Sequence, residues 1–96
     1  SGEVKVMARL RTNAQAMDSI LEIMHQRIKG DCPAHVSVAH TDALESALTL
    51  KERVRDGFNC ADLDIVELGP VLGTHIGPGF FGVGFYCDDD WRPQKA

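Results

Sequence analysis

Residues 63–87 read Leu63-Asp64-Ile65-Val66-Glu67-Leu68-Gly69-Pro70-Val71-Leu72-Gly73-Thr74-His75-Ile76-Gly77-Pro78-Gly79-Phe80-Phe81-Gly82-Val83-Gly84-Phe85-Tyr86-Cys87. Two strand-like apolar runs flank eleven residues that hold four glycines and two prolines. Such a composition does not build a helix. A parallel pair of consecutive strands needs a crossover, usually a helix, so the run from Phe80 is expected to return antiparallel. The same segment offers one hydroxyl, Thr74, and one imidazole, His75, on a backbone with few other side chains. A Gly-rich connection with a solvated histidine and a loop that presents polar groups to a ligand are both consistent with it.

Working outward, Val4, Val6, Ala8 and Leu10 alternate with Lys5, Met7 and Arg9, the period of a half-buried strand. Thr12 and Gln15 have the spacing of a capping box, and Met17, Ile20, Leu21, Met24 and Ile28 follow at helical intervals up to Gly30. A second strand is expected from about His35 to Ala39. A second helix follows, capped by Thr41 or Asp42, with Leu44, Ala47, Leu48, Val54 and Phe58 as its apolar stripe. Strands at Leu63–Leu68 and Phe80–Cys87 complete a β-α-β-α-β-β order. The fold class is therefore α/β: a two-layer sandwich, with a mixed sheet and two helices mainly on one face. The other face is left for solvent, another domain or a second copy.

Composition limits the function. Ninety-six residues at a formal charge of −4, with Lys and Arg interspersed among acids, carry no nucleic-acid footprint. No run approaches the ~20 apolar residues of a membrane span, and the N-terminus lacks the pattern of a secretory signal. Cys32, Cys60 and Cys87 are odd in number and widely spaced, which favours packing roles in a reducing cytoplasm.

In a parallel arrangement the carboxyl ends of strands share one edge, and ligands bind just outside it. Arg11-Thr12, His40-Thr41-Asp42 and Thr74-His75 all fall at such ends, together with two helix N-termini. The edge is rich in donors and suits a carboxylate or phosphate. Each residue also has a plainer role: Arg11 as partner of a carbonyl or acid, and His40 beside Asp42 as a local cap. His25 and His35 have no assignable role. A zinc site from His40, Asp42 and His75 matches no ligand spacing, and no dinucleotide, P-loop or nucleophile-elbow motif is present. Along the last strand, Phe81, Val83 and Phe85 share one face, and Phe80, Gly82, Gly84 and Tyr86 the other. The two glycines leave a bare trough between aromatic rings, either for a packed helix or for an alkyl chain beside Met17 and Met24. Met17, Gly82, Gly84 and Phe85 are the expected acyl-pocket residues.

The run Val66–Gly79, continuing through Tyr86, closely resembles the C-terminal signature of the DegV family of fatty-acid-binding proteins. Leu10-Arg11-Thr12 and the histidine ending the next strand are similar to that family's pattern too. The resemblance implies a two-domain carrier that holds a long-chain fatty acid and presents its carboxylate to a separate fatty acid kinase subunit. It places His75 near the head group and Arg11 on the same polar surface. The expected ligand-binding set is Arg11, Thr74, His75, Ile76, Gly77 and Gly79, with no catalytic residue, cofactor or metal. Residues 1–96 are then a single domain resembling the family's C-terminal domain. The N-terminal domain of the same parent chain, which supplies hydroxyls to the carboxylate, is an expected partner, as is a second copy in a homodimer. Two other readings stand beside this one. The first is a small hydrolase or transferase using His75 and His40 on an anionic substrate. The second is a ligand-free oligomerisation domain.

Overall fold

Alternating side chains in short β-branched and aromatic runs give four strands, and two 3.6-period runs give two helices. The computed structural model describes residues 4–9, 13–68 and 78–87. In chain order these form β1 (Val4–Arg9), α1 (Asn13–Arg27), β2 (Ala34–Thr41), α2 (Leu44–Gly57), β3 (Cys60–Glu67) and β4 (Phe80–Cys87). The expected order and types hold. α1 gives way to a turn in which Gly30 takes φ +55°, a left-handed conformation that glycine adopts without strain.

The sheet order is β1-β4-β2-β3. β2 and β3 are parallel, and β4 runs antiparallel to both β1 and β2. The antiparallel return is as expected. The sequence did not announce that β4 inserts between β1 and β2, splitting the first strand–helix–strand unit. A signal was available: Phe80–Cys87 is apolar on both faces almost throughout, as suits a strand with neighbours on either side.

Both helices pack on one face. Val36 and Val38 of β2 and Phe81, Val83 and Phe85 of β4 are buried there against Met17, Ile20 and Met24 of α1. α2 adds Ala47, Leu50 and Val54 to the same core. The expected stripe of α2 needs correction: Leu44 and Leu48 are 53% and 47% exposed, while Leu50 is fully buried. The buried line is Ala43, Ser46, Ala47, Leu50 and Val54. Small residues on the first turns let the helix approach the sheet closely, and this turns the larger leucines outward. An ion pair, Arg53 to Asp18 at 2.6 Å, ties the two helices on the outside; exposed pairs of this kind contribute at most about 1 kcal/mol.

The opposite face carries Ser37 and Ala39 of β2, in register with Gly84 and Gly82 of β4. Asp62, Asp64 and Val66 of β3 are exposed on that side. Among the described residues no helix covers this face.

Candidate functional site

The register brings four strand ends to one edge. Arg9 of β1 and Thr41 of β2 both lie opposite Phe80 of β4, and His40 lies opposite both Phe81 and Glu67 of β3. The carboxyl ends of the three parallel strands and the amino end of β4 are thus side by side, the position where α/β sheets bind ligands. The N-terminus of α2 opens at the same edge, three residues after Thr41.

Residues 40–43 organise this edge. The His40 ring is buried at 3% exposure. Its Nδ1 accepts the Ala43 backbone N–H at 3.0 Å. In the neutral ring this bond places the hydrogen on Nε2. The expected cap, Thr41 or Asp42, is therefore replaced: Ala43 is the N-cap residue, without a side-chain bond of its own, and the imidazole takes the amide at the start of α2. Asp42 adopts φ +50°, an uncommon left-handed backbone that Asp tolerates better than most residues. This sharp turn lets a strand residue cap the helix that follows it.

The same two strand residues grip the glycine segment at both ends. Leu68 donates its N–H to the His40 carbonyl at 2.8 Å, and Gly79 donates its N–H to the Thr41 carbonyl at 2.6 Å. Phe80 donates its N–H to Thr41 Oγ1 at 3.0 Å. Gly79 has φ +90°, which only glycine adopts readily. Its amide is already engaged, so Gly79 supplies a backbone turn rather than a donor to a ligand. Sequence reading placed Thr41 at this edge but missed its grip on β4. The signal was a strand ending in a hydroxyl residue opposite a Gly-rich segment.

Arg11, Thr74, His75, Ile76 and Gly77 lie outside the described residues. The four residues expected to form an acyl pocket do not share a face. Met17 and Phe85, each 2% exposed, belong to the helix-side core, whereas Gly82 and Gly84 belong to the opposite face. Neighbouring strand residues point to opposite sides, so Phe85 cannot line a slot floored by Gly84. Gly82 and Gly84 lie beside Ala39 and Ser37 on the sheet face away from Met17 and Met24, and Gly82 is itself buried.

The far end of the sheet holds a second polar group. His35 Nδ1 lies 2.6 Å from Asp62 Oδ2, and the His35 ring stacks on Tyr86 at a centroid distance of 4.6 Å. His35 and His40 are five residue steps apart along β2, about 17 Å, so they belong to different sites. His25 stacks on Phe58 at 4.3 Å. Both histidines thus have structural partners that the sequence did not reveal. The cysteines gather at this far end as well. Cys60 and Cys87 flank Ala34 from either side, and Cys87 Sγ is 3.8 Å from the Cys32 carbonyl. Burial, and secondarily the Asp62 carboxylate, push the Cys60 thiol above its ordinary range. Among the described residues no three His, Cys, Asp or Glu side chains are placed to hold a metal ion. No described helix is long and apolar enough to cross a membrane.

The sequence pattern of the DegV family, described as an uncharacterised protein family, matches residues 1–88. The chain belongs to the DegV family. A DegV domain-containing protein of Streptomyces coelicolor is 36% identical over 83 residues, covering 85% of this chain and 29% of that protein. One from Clostridium acetobutylicum is 28% identical over 91 residues, covering 95% and 32% respectively. The chain therefore spans less than a third of these DegV relatives. Among solved structures, a fatty acid binding DegV family protein from Streptococcus agalactiae is 25% identical with a TM-score of 0.65, covering 78% of this chain and 26% of that one. A DegV family protein from Thermus thermophilus, described by its fatty acid binding, is 23% identical and shares the fold at a TM-score of 0.71 over 78% of this chain and 27% of its own.

Proposed function

We infer that this chain is a lipid-binding module of a DegV carrier, contributing part of the site that holds the head group of a long-chain fatty acid. The observation that carries this reading is the shared edge of strand ends at which His40 and Thr41 grip both flanks of the glycine segment. It is supported by the fatty acid binding of the Streptococcus agalactiae relative. Arg11, Thr74, His75, Ile76 and Gly77 contact the carboxylate, and Gly79 sets the turn beside them. The acyl chain runs along the sheet face that carries Ser37, Ala39 and Gly84, whose positions are half-buried. The rest of the parent protein, including an N-terminal domain, or a second copy covers that face. A separate kinase subunit performs phosphoryl transfer on the presented carboxylate. The reducing cytoplasm suits the three thiols. A hydrolase built on His40 is disfavoured, because the ring is buried and its Nδ1 is committed to the Ala43 amide.

His75→Ala in the full encoded chain tests the reading. Each buried methylene contributes about 0.8 kcal/mol to lipid retention, whereas one neutral hydrogen bond contributes about 0.5–1.5 kcal/mol. The variant is therefore expected to keep most copurified fatty acid, measured by native mass spectrometry, while acyl phosphate formation with the kinase falls by more than retention does. A wild-type protein without fatty acid would remove the carrier reading. Full acyl phosphate formation by the variant would remove His75 from the head-group site.

A further inference from the structure

A histidine that caps a helix with one ring nitrogen has a second hydrogen-bonding atom on the opposite edge of the ring. His40 Nδ1 accepts the Ala43 N–H at 3.0 Å, which in the neutral ring puts the hydrogen on Nε2. Among the described residues this N–H has no acceptor. Yet every side-chain nitrogen or oxygen sealed from solvent among them does have a hydrogen-bond partner. The Nε2–H is therefore not sealed, and the 3% of His40 that remains exposed includes this edge of the ring.

The surroundings hold this donor in place. Fully buried Phe81 of β4 and exposed Glu67 of β3 flank His40 across the sheet, and the start of α2 occupies Nδ1. Turning the ring to hide Nε2 would give up the Ala43 amide. A mostly buried donor of this kind is satisfied from outside, by water or by a ligand oxygen. Its location favours the ligand: the carboxyl end of a parallel strand is where α/β sheets bind, and the positive end of the α2 dipole lies alongside. Asp42, Glu45 and Glu67 are all exposed, so solvent screens their charges.

We propose that His40 is a ligand contact whose Nε2–H donates to a carboxylate or phosphate oxygen at the carboxyl end of β2. The capping bond sets the tautomer, and the tautomer makes the ring a donor rather than a base. With a fatty acid as the ligand this rests on the carrier reading above; with free phosphate it stands without it.

The experiment uses the full encoded chain with isotope-labelled histidine, the His40 ring signals being assigned in the magnetic resonance spectrum through their Overhauser contacts with Phe81. Ligand-free wild type should show the Nε2-protonated tautomer. Palmitate or inorganic phosphate is then added. The anion that binds here should move the Nε2–H signal downfield and slow its exchange with solvent at least about tenfold. Palmitate acting alone identifies a lipid head group, and phosphate acting alone identifies free phosphate. Two variants separate donor from cap. His40→Asn keeps an acceptor near Nδ1 for the Ala43 amide but has no donor at the Nε2 position. It should weaken binding of the active anion at least about tenfold by calorimetry. His40→Gln places a donor near Nε2 and loses the cap, so it should bind within about threefold of wild type while being the less stable of the two. The proposal is overturned by an Nδ1-protonated ring, or by an asparagine variant that binds as tightly as glutamine. If palmitate binds with the Nε2–H untouched and phosphate is inert, the proposal falls and the carrier reading stands. If palmitate does not bind, the carrier reading falls, and the phosphate signal alone decides the proposal. Because the ring signals are read in wild type, the outcome is decided even where a variant does not fold.

Discussion

Replacing His40 separates a structural imidazole from a chemical one. The ring is 3% exposed and its Nδ1 accepts the Ala43 amide at 3.0 Å. His40→Ala leaves that N–H without its partner, which costs about 1–3 kcal/mol for a buried group. Removing the ring from a close-packed site adds a cavity contribution of about 1 kcal/mol or more. The sum, about 2–4 kcal/mol, is a large share of the roughly 5–14 kcal/mol expected of a 96-residue domain. The finer test uses amides. An asparagine Oδ1 lies close to the position of Nδ1, so His40→Asn should recover about 1 kcal/mol or more of the loss. A glutamine Oε1 lies nearer the position of Nε2, so His40→Gln should resemble alanine. Urea unfolding followed by far-ultraviolet circular dichroism reads the series. With a slope of about 1–1.5 kcal/mol per molar, His40→Ala should lower the midpoint by roughly 1.3–4 M. Glutamine equal to asparagine, or alanine within about 0.5 kcal/mol of wild type, would refute the capping account.

Two further expectations follow from the packing and the thiols. Leu50→Ala should cost about 2–5 kcal/mol, whereas Leu48→Ala should cost at most about 1 kcal/mol, since Leu50 is fully buried and Leu48 is 47% exposed; equal costs in urea unfolding would restore the outward leucines to the core. For Cys60, the folded thiol titrates above the unfolded one, so the folded state holds the proton longer as pH rises. Its stability contribution is complete below the unfolded thiol range, about pH 8.5, and is lost progressively above it. Unfolding midpoints across pH 8–10 should therefore fall less steeply in Cys60→Ala than in wild type; identical slopes would show that Cys60 does not carry the effect.

Much of this architecture was legible because single-element patterns are local. Val4–Arg9 alternates plainly, Phe80–Cys87 is a strand-length run of aromatic residues, valine and glycine, and the Met17, Ile20 and Met24 interval marks the buried face of α1. Where size competed with position, the reading failed. Leu44 and Leu48 looked like the buried line of α2, although Ala43, Ser46 and Ala47 mark the side that meets the sheet. Their smallness is the signal, since only small side chains permit close approach. The strand order was hidden for a different reason: spacing along a chain states which strands are antiparallel, not which gap the last one fills. At the site, His40, Thr41 and Asp42 were recognisable as polar groups at a strand end. Their division of labour was not, because it depends on one left-handed residue and on amides some forty positions away.

The sheet order also dictates when this domain can exist during synthesis. Of the described elements β1 is made before the others, yet Val4 pairs with Phe85 of β4, which is made after the rest of them. Until residues 80–87 leave the ribosome, β1 has no partner, β2 presents an unfilled side, and the core lacks Phe81, Val83 and Phe85. Such non-local closure is slow and leaves strand edges exposed while it is pending. A ribosome stalled before Phe80 would therefore carry an aggregation-prone nascent chain rather than a partly working module.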